Sequence, residues 1–331
     1  MNEQLIPKFE NEIKEELKLL VESMIDENGQ KFDPFHHVHI FTTNIACYMC
    51  FGKRFEHTNP AFSELVLALR EFMKAYIGST MLNFQPLMWY LPIQKVKSLR
   101  TSHAKLITAI SKLNDENLSH DEPQDMEFSY QMVDLIINCS ETVCATILWT
   151  IVHMAQNRHV QEQVQQEIGI TLKTGNALSF SNSSQMSYTE ASILESQRLA
   201  CVLPLAWPHS VIHDVEFRDF IVPKGTPVLI NIMSSHLDKD YWINPEEFDP
   251  ERFLNVNGEI KSRLGFLPYS LGASSCPGER LAKLELFMCF ATLMKSFSFC
   301  LDDSGAENDV KCKPGLISYP AEFKITATKR K

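Results

Sequence analysis

One of the nine cysteines stands in a setting that suits metal-ligand chemistry. Cys276 lies in the run 269–278 (YSLGASSCPG), and an amphipathic segment begins directly after it. Gly272 and Gly278 permit backbone conformations that other residues resist, so this loop can present a thiolate beneath a flat cofactor. The N-terminus of the following helix favours an anion through its partial positive charge. Taken alone, a buried cysteine before a helix is most often a structural thiol.

Two charged residues upstream have the spacing of neighbours on one helix face. Glu195 and Arg198 are three positions apart, and Arg252 follows in the run 250–253 (PERF), 24 residues before Cys276. On this spacing alone, a surface ion pair that contributes little to stability is the more frequent case.

A long uncharged stretch ends in an acid beside an alcohol. Residues 136–140 (IINCS) lead into Glu141 and Thr142. A carboxyl group and a hydroxyl group can pass protons to a reacting centre. As a bare pair in a helix, however, these two residue types do not indicate a function.

In this order, the three segments resemble the signatures of the cytochrome P450 superfamily. The run 269–278 is similar to its heme-binding pattern Phe-x-x-Gly-x-x-x-Cys-x-Gly, with Tyr269 in place of Phe. Glu195 and Arg198 match its Glu-x-x-Arg motif, and residues 138–142 resemble its distal motif Ala/Gly-Gly-x-Asp/Glu-Thr. Counterparts exist along nearly the whole chain. The resemblance is greatest to the microsomal branch with steroid 17-alpha-hydroxylase and the drug-metabolising enzymes.

The resemblance implies a mostly α fold with minor β structure (α+β), the triangular fold of this family. It implies that residues 1–331 form one domain, the C-terminal portion of the full family domain, lacking the N-terminal anchor, the first sheet and the early helices. The opening segment is charged and amphipathic, so we expect neither a signal peptide nor a membrane span there.

The resemblance also implies roles for individual residues. Cys276 is expected to be the axial ligand of the iron of heme b. The other residues expected to contact the cofactor are His209, through a propionate, and Tyr269, Gly272 and Gly278. Glu141 and Thr142 are expected to be catalytic, as the acid and alcohol that relay protons. Three residues are expected to form a buried structural network: Glu195, Arg198 and Arg252. Five are expected to contact the substrate: Asn138, Leu205, Ala206, Trp207 and Leu316.

The implied reaction is insertion of one oxygen atom from O2 into a small apolar substrate, steroid-like or xenobiotic. Electrons would come indirectly from NADPH through the flavoprotein NADPH-cytochrome P450 reductase, with cytochrome b5 as a second candidate partner. The implied location is the cytoplasmic face of the endoplasmic reticulum membrane. The chain contains no obvious anchor by itself.

Two departures from the family pattern leave an alternative open. Ser274 stands where the family usually has Arg or His to pair with a heme propionate, and Asn138 and Cys139 replace the small pair of the distal helix. A truncated, non-catalytic protein that binds little heme is therefore the alternative. A reductase-independent isomerase or peroxygenase is less favoured, because those lineages commonly lose the acid–alcohol pair.

Composition narrows the class of protein. The 331 residues include 44% hydrophobic and 22% charged residues, typical of a globular protein with a large core. The net charge of -10 argues against a general nucleic-acid binder, which needs a basic face.

The odd number of cysteines favours buried thiols over a disulfide framework. Cys47 and Cys50 resemble a zinc or redox pair, but two buried helix thiols are the preferred interpretation.

Hydrophobic periodicity predicts helices at about 3–25, 35–52, 60–77, 95–113, 125–155, 156–168, 188–201 and 278–296. Alternating segments predict strands at 211–215, 226–230 and 323–328, with a turn at 223–225. The polar stretches 114–125 and 302–309 are predicted to be exposed loops.

Overall fold

Helices carry most of the structure. The computed structural model describes residues 6–76, 93–115, 126–172, 177–301, 310–313 and 315–330. Its helices are α1 (Ile6–Ile25), α2 (Phe35–Phe51), α3 (Pro60–Tyr76), α4 (Gln94–Asp115), α5 (Met126–Gln156), α6 (Arg158–Thr171), α7 (Ser187–Ala200), α8 (Ile232–His236) and α9 (Glu279–Ser296). The expectation of a mostly helical fold is confirmed. Every predicted helix is present within a few residues of its expected bounds, and among the described residues the short α8 is the α-helix that was not predicted.

The strands are short and pair in small antiparallel sheets. They are β1 (Lys31–Phe32), β2 (His209–Ser210), β3 (Val215–Phe217), β4 (Phe220–Val222), β5 (Pro227–Val228), β6 (Phe297–Leu301), β7 (Cys312–Lys313), β8 (Tyr319–Pro320) and β9 (Ile325–Lys329). In the three-stranded sheet, β9 lies between β1 and β6. The remaining pairs within the described residues are β2 with β5, β3 with β4, and β7 with β8.

The strand predictions were only partly right. Of residues 211–215, only Val215 lies in a strand, and β3 continues from it into a hairpin with β4. The predicted turn is present, because the N–H of Thr226 donates to the carbonyl of Pro223 at 3.2 Å. The later two strands are shorter or shifted, at β5 and β9. The residues of β3 are all exposed, so alternation there did not mark a buried face and could not fix the bounds. Residues 116–125 and 302–309 lie outside the described residues.

Helix α5 is the centre of the core. It packs against α2, α4, α7 and α9. By length and composition, Glu127–Gln156 is apolar enough to cross a membrane, but 72% of its most apolar window is buried inside the protein. A helix that is apolar on all sides and covered by other helices serves as a core helix, and α5 has that position here.

The Cys47 and Cys50 pair lies in α2 and is part of the packing. Cys47 belongs to an apolar cluster with Phe62, Leu106 and Ile136 from α3, α4 and α5. Burial raises the pKa of Cys50 to about 12 and that of Cys47 further above its ordinary value. Both side chains are therefore protonated thiols, and among the described residues no cluster of His, Cys, Asp and Glu suits a metal ion.

Two histidines are buried in neutral form. His153 of α5 stacks between Trp149 and Phe248, with ring centroids 5.5 and 4.8 Å away. His236 of α8 accepts a hydrogen bond from the N–H of Leu267 at its Nε2, 2.9 Å away, so its proton is on Nδ1, which faces the carbonyl of Arg198 at 3.1 Å. Burial lowers the pKa of His153 to about 3 and that of His236 to about 4.

These histidines predict a loss of stability in mild acid. In the unfolded chain both rings take up protons as the pH falls below about 6.5, whereas in the fold they stay neutral until about pH 3 and 4. Each should reduce the free energy of unfolding by about 2 kcal/mol between about pH 7 and pH 5. Denaturant titrations across this range should show the loss, and His153→Phe should show roughly half of the slope. An unchanged slope in that variant would contradict a neutral buried ring.

Candidate functional site

Cys276 ends a tight loop that leads into α9. Gly272 has φ 78°, in the left-handed region that favours glycine, and a 3-10 turn at Gly272–Ser274 follows. The N–H of Cys276 donates to the carbonyl of Tyr269 at 2.9 Å, which closes the loop. Gly278 has φ -88°, so the expectation of an unusual backbone there is wrong. Its small size leaves room near the sulfur, since an added Cβ would lie 3.8 Å from Sγ of Cys276.

Accessibility separates Cys276 from most of the other thiols. Burial raises the pKa of Cys50, Cys139 and Cys201 to about 12 and holds that of Cys47, Cys144 and Cys289 well above its ordinary value. The three exposed cysteines are Cys276, Cys300 and Cys312. Cys300 lies in β6 and Cys312 in β7, whereas Cys276 directly precedes an 18-residue helix. Because a thiolate is the form that binds metal, Cys276 is the best placed ligand.

Tyr269 connects the cysteine loop to α7. Its hydroxyl accepts a hydrogen bond from Nε2 of Gln197 at 2.8 Å, and Nζ of Lys283 lies 5.7 Å from its ring. Burial raises the pKa of this phenol well above its usual value. The departure from the family's Phe therefore has a physical reason, because the tyrosine hydroxyl reaches a polar partner that a phenyl ring lacks.

Glu195, Arg198 and Arg252 form one buried network. Both carboxylate oxygens of Glu195 accept from Arg198, each at 2.7 Å, and Oε1 also accepts from Nε of Arg252 at 3.2 Å. The exposed fractions of Glu195 and Arg198 are 0%. Burial raises the pKa of Glu195, and the two guanidinium groups oppose that shift. The geometry agrees with the expected structural role and not with a surface ion pair.

The same arginines hold the chain that leads to the cysteine loop. Nη1 of Arg198 donates to the carbonyls of His236 and Pro245, at 2.8 and 2.7 Å, and Arg252 donates to the carbonyls of Ile243 and Asn244. These carbonyls belong to the end of α8 and to the irregular segment 243–245, where backbone groups need partners from side chains. The hydrogen bond from Leu267 to His236 extends the network to within two residues of Tyr269.

Glu141 and Thr142 have separate hydrogen-bond partners. The carboxylate of Glu141 is buried and bonded to Nε2 of His39 at 2.7 Å and to the hydroxyl of Tyr319 at 2.6 Å. The hydroxyl of Thr142 donates to the carbonyl of Asn138 at 3.0 Å. Consecutive residues on a helix point about 100° apart, so the acid and the alcohol face different neighbours, and their expected role as a proton relay stays a prediction.

The cysteine loop lies within electrostatic range of α5. Burial raises the pKa of Cys139 to about 12, and the charges at Glu285 and Cys276 add to this shift. Asn138, one residue earlier, is exposed.

The five expected substrate contacts have different surroundings in the described part of the chain. Leu316 lines a cavity with Glu141, Leu148 and Tyr319. Leu205 and Trp207 are exposed, and Ala206 is buried against Cys201 and Ile232. Asn138 uses its amide to donate to the carbonyl of Asp134 at 2.8 Å. The substrate role of these five residues stays a prediction.

Apolar side chains are exposed mainly in one segment. Of the 22 large hydrophobic residues that are exposed among the described ones, 17 lie between Leu205 and Leu271. This segment also contains His209, which is half-buried in β2. Such a concentration marks a surface that normally meets another apolar group.

Comparison with known proteins agrees with these features. The family model for cytochrome P450 matches residues 1–327. The chain belongs to the cytochrome P450 family. Cytochrome P450 2U1 of Homo sapiens is 33% identical over 350 residues, covering 97% of this chain and 64% of the relative. Cytochrome P450 2J5 of Mus musculus is 35% identical over 348 residues, covering 97% of this chain and 69% of the relative. The chain thus spans 64% of the length of the human 2U1 protein.

Membership of the cytochrome P450 family implies a heme iron cofactor. The residues present fit this group on the side of the iron ligand, since Cys276 offers an accessible sulfur ahead of a helix N-terminus. Exposed apolar residues of the segment 205–271 suit the flat apolar ring. The propionate role of His209 stays a prediction, and the exposed Ser274 brings no charge.

The sequence of this P450 did not indicate the contacts of three residues in this arrangement. His39 and Tyr319 hold Glu141, and His236 joins Arg198 to the cysteine loop. Glu141 lies 102 positions from His39 and 178 from Tyr319, so no local spacing could have paired them.

The network makes a prediction about folding. Glu195→Ala should leave two buried guanidinium groups without their anion and lower the free energy of unfolding by about 3–5 kcal/mol. Denaturant titration measures this loss, and Glu162→Ala, which removes an exposed ion pair with Arg158, is the control expected to change little. Equal stabilities of the two variants would show that the network is unimportant.

Proposed function

We propose that this protein is a heme-thiolate monooxygenase that inserts one oxygen atom from O2 into a small apolar substrate, steroid-like or xenobiotic. The observation that carries the proposal is the exposed Cys276, closed into a tight loop ahead of α9 and braced by Tyr269 and the buried arginine network. The similarity of residues 269–278 to the heme-binding pattern of the family, whose model the chain matches, supports Cys276 as the iron ligand.

The cofactor proposed is heme b, held by Cys276 as axial ligand. Gly272 supplies the left-handed turn before the sulfur, and Gly278 leaves space beside it. His209 would hold a propionate. When bound, heme b activates molecular oxygen with electrons that the protein receives from NADPH through the reductase.

Protons are proposed to be managed by Thr142 and Glu141. Thr142 is half-buried on α5 and its hydroxyl can exchange its bond to the Asn138 carbonyl for another acceptor. Glu141 is the buried carboxylate one position earlier and can replace a proton that Thr142 gives up. Substrate contacts are proposed for Asn138, Leu205, Ala206, Trp207 and Leu316, which requires the exposed segment to be covered.

The partners proposed are NADPH-cytochrome P450 reductase and cytochrome b5, at the cytoplasmic face of the endoplasmic reticulum membrane. The support is membership of the family together with the similarity to the 2U1 and 2J proteins.

The ligand assignment is tested by a spectrum. Cys276→Ser should abolish the red-shifted Soret band of the ferrous carbonyl complex in heme-loaded protein, because a hydroxyl does not replace the thiolate on iron. Cys300→Ser is the matched control, as it alters an exposed thiol in β6, and should retain the band. Survival of the band in Cys276→Ser would refute the assignment.

A second candidate function is a heme-poor, non-catalytic member of the family. It is favoured by the uncharged Ser274 and by the exposed apolar residues of the segment 205–271, which leave the proposed cofactor surface open to water. Under this proposal the 331-residue chain binds heme weakly and has little monooxygenase activity.

Heme titration of the purified chain separates the two candidates. Each missing charge-assisted hydrogen bond is worth about 1.5–3 kcal/mol, so Ser274→Arg should tighten binding by roughly tenfold or more if propionate partners are limiting. Ser184→Arg, at an exposed serine of a 3-10 helix, is the control. Tight one-to-one binding by the unmodified chain, with no gain from Ser274→Arg, would exclude the heme-poor candidate.

A further inference from the structure

Two sulfur atoms meet at the contact between α2 and α5. Sγ of Cys139, on α5, lies 3.8 Å from Sδ of Met49, on α2. Both side chains are half-buried, so the pair lies near the surface of the contact between the two helices. Cys139 is one of the two residues that replace the small pair of the family's distal helix, and the function proposed above gives its sulfur no role.

The surroundings of the two sulfur atoms are mainly apolar. Cys139 packs against the apolar cluster that contains Ile136, and Met49 packs against the one that contains Val143. Glu285 of α9 is close enough for its charge to act on Cys139, but burial raises the pKa of Glu285 well above its ordinary value. The carboxyl group of Glu285 is therefore protonated at neutral pH and adds no charge.

The spacing of the sulfur atoms suits two ligands of one metal ion. Metal–sulfur bonds in proteins are about 2.3 Å long, and two such bonds about 110° apart place their sulfur atoms about 3.8 Å from each other. The distance between the sulfur atoms of Cys139 and Met49 has this value. One ion can therefore bond to both sulfur atoms without a change in the distance between them.

The ligand types select a soft, monovalent ion. Thiolate and thioether sulfur favour soft metals such as Cu(I). Zinc prefers four ligands, and within the described ranges no group of three or more His, Cys, Asp and Glu side chains is placed to hold a metal ion. Binding of Cu(I) releases the thiol proton of Cys139 to solvent. The thiolate and the cation then form a neutral unit, which an apolar contact can hold.

Burial limits which ions can displace that proton. It raises the pKa of Cys139 to about 12, so the free side chain is a thiol at neutral pH. A metal ion must then compete with a tightly held proton, because the thiolate is the form that binds it. This competition disfavours ions with weak bonds to sulfur and favours Cu(I).

We propose that Cys139 and Met49 form a binding site for Cu(I) that joins α2 to α5. The site is additional to the proposed heme site, because neither ligand is among the residues proposed to hold heme. A bound ion would fix the contact of the two helices next to Asn138, whose carbonyl accepts the hydrogen bond of Thr142.

Competition for copper tests the site. The whole 331-residue chain is reduced under argon and titrated with Cu(I), supplied as its acetonitrile complex, against a chelator whose absorbance reports the copper it holds. Loss of an outer-shell partner typically weakens a metal site roughly 10–100-fold, so loss of a direct ligand should weaken it at least as much. We expect Cys139→Ala to bind one copper ion fewer per chain than the unmodified chain. Met49→Leu, which keeps the volume and removes the sulfur, should weaken the same site by about tenfold or more.

Alkylation identifies the thiol that holds the ion. Treatment with N-ethylmaleimide followed by peptide mass spectrometry reports the reaction rate at each cysteine separately. Cu(I) should slow the alkylation of Cys139 by about tenfold or more in the unmodified chain, because a metal-bound thiolate is no longer free to react. In Met49→Leu this protection should be lost or much smaller at the same concentration of chelator.

Two variants serve as matched controls. Cys144→Ala makes the same substitution at a buried thiol of α5. Cys50→Ala makes it at a half-buried thiol of α2, whose pKa burial likewise raises to about 12. Both variants should keep the copper ion and the protection of Cys139.

Three results would overturn the proposal. Unchanged copper binding in Cys139→Ala and Met49→Leu would show that the sulfur pair is a packing contact. An equal loss in Cys144→Ala would attribute the effect to loosening of the core. An equal loss in Cys50→Ala would show that two thiols hold the ion instead of a thiol and a thioether.

Discussion

The buried guanidinium of Arg198 is the constraint on which the site depends. A charge removed from water must be paired and fully hydrogen-bonded, and Arg198 meets this requirement with Glu195 and with the carbonyls of His236 and Pro245. Those carbonyls lie at the C-terminus of α8 and in irregular backbone, and a hydrophobic core cannot satisfy them by itself. Nε2 of His236 also accepts a hydrogen bond from the N–H of Leu267. The hydrogen bonds that begin at Arg198 therefore continue to the loop that carries Cys276.

The geometry of α5 imposes a second constraint. Its residues point in directions that rotate by about 100° per position, so Glu141 and Thr142 must face different neighbours. Glu141 faces α2 and β8, where His39 and Tyr319 bind it, and Thr142 bonds back to its own helix. In this P450 the acid is part of the packing between α2, α5 and β8, and its chemistry is tied to the stability of that contact.

The distribution of apolar surface links folding to function. The helical part buries its hydrophobic residues around α5, whereas the segment from Leu205 to Leu271 exposes most of its large ones. Exposed apolar surface raises the free energy of the folded chain in water, and covering it would lower that free energy. The same segment contains His209 and borders the Cys276 loop, so whatever covers it also determines how well the proposed cofactor is held.

The sequence by itself determined the helices, the special status of Cys276 and the family, because helical periodicity and a glycine-bracketed cysteine before a helix are local patterns. It also identified Glu195, Arg198 and Arg252, although their burial could be expected only by resemblance. Only the tertiary structure decided the environment of Glu141, since His39 and Tyr319 lie 102 and 178 positions away. It likewise decided the strand bounds near β3 and the scattering of Leu205, Ala206, Trp207 and Leu316. Long-range contacts and burial arise when distant segments pack, and no spacing within one segment encodes them.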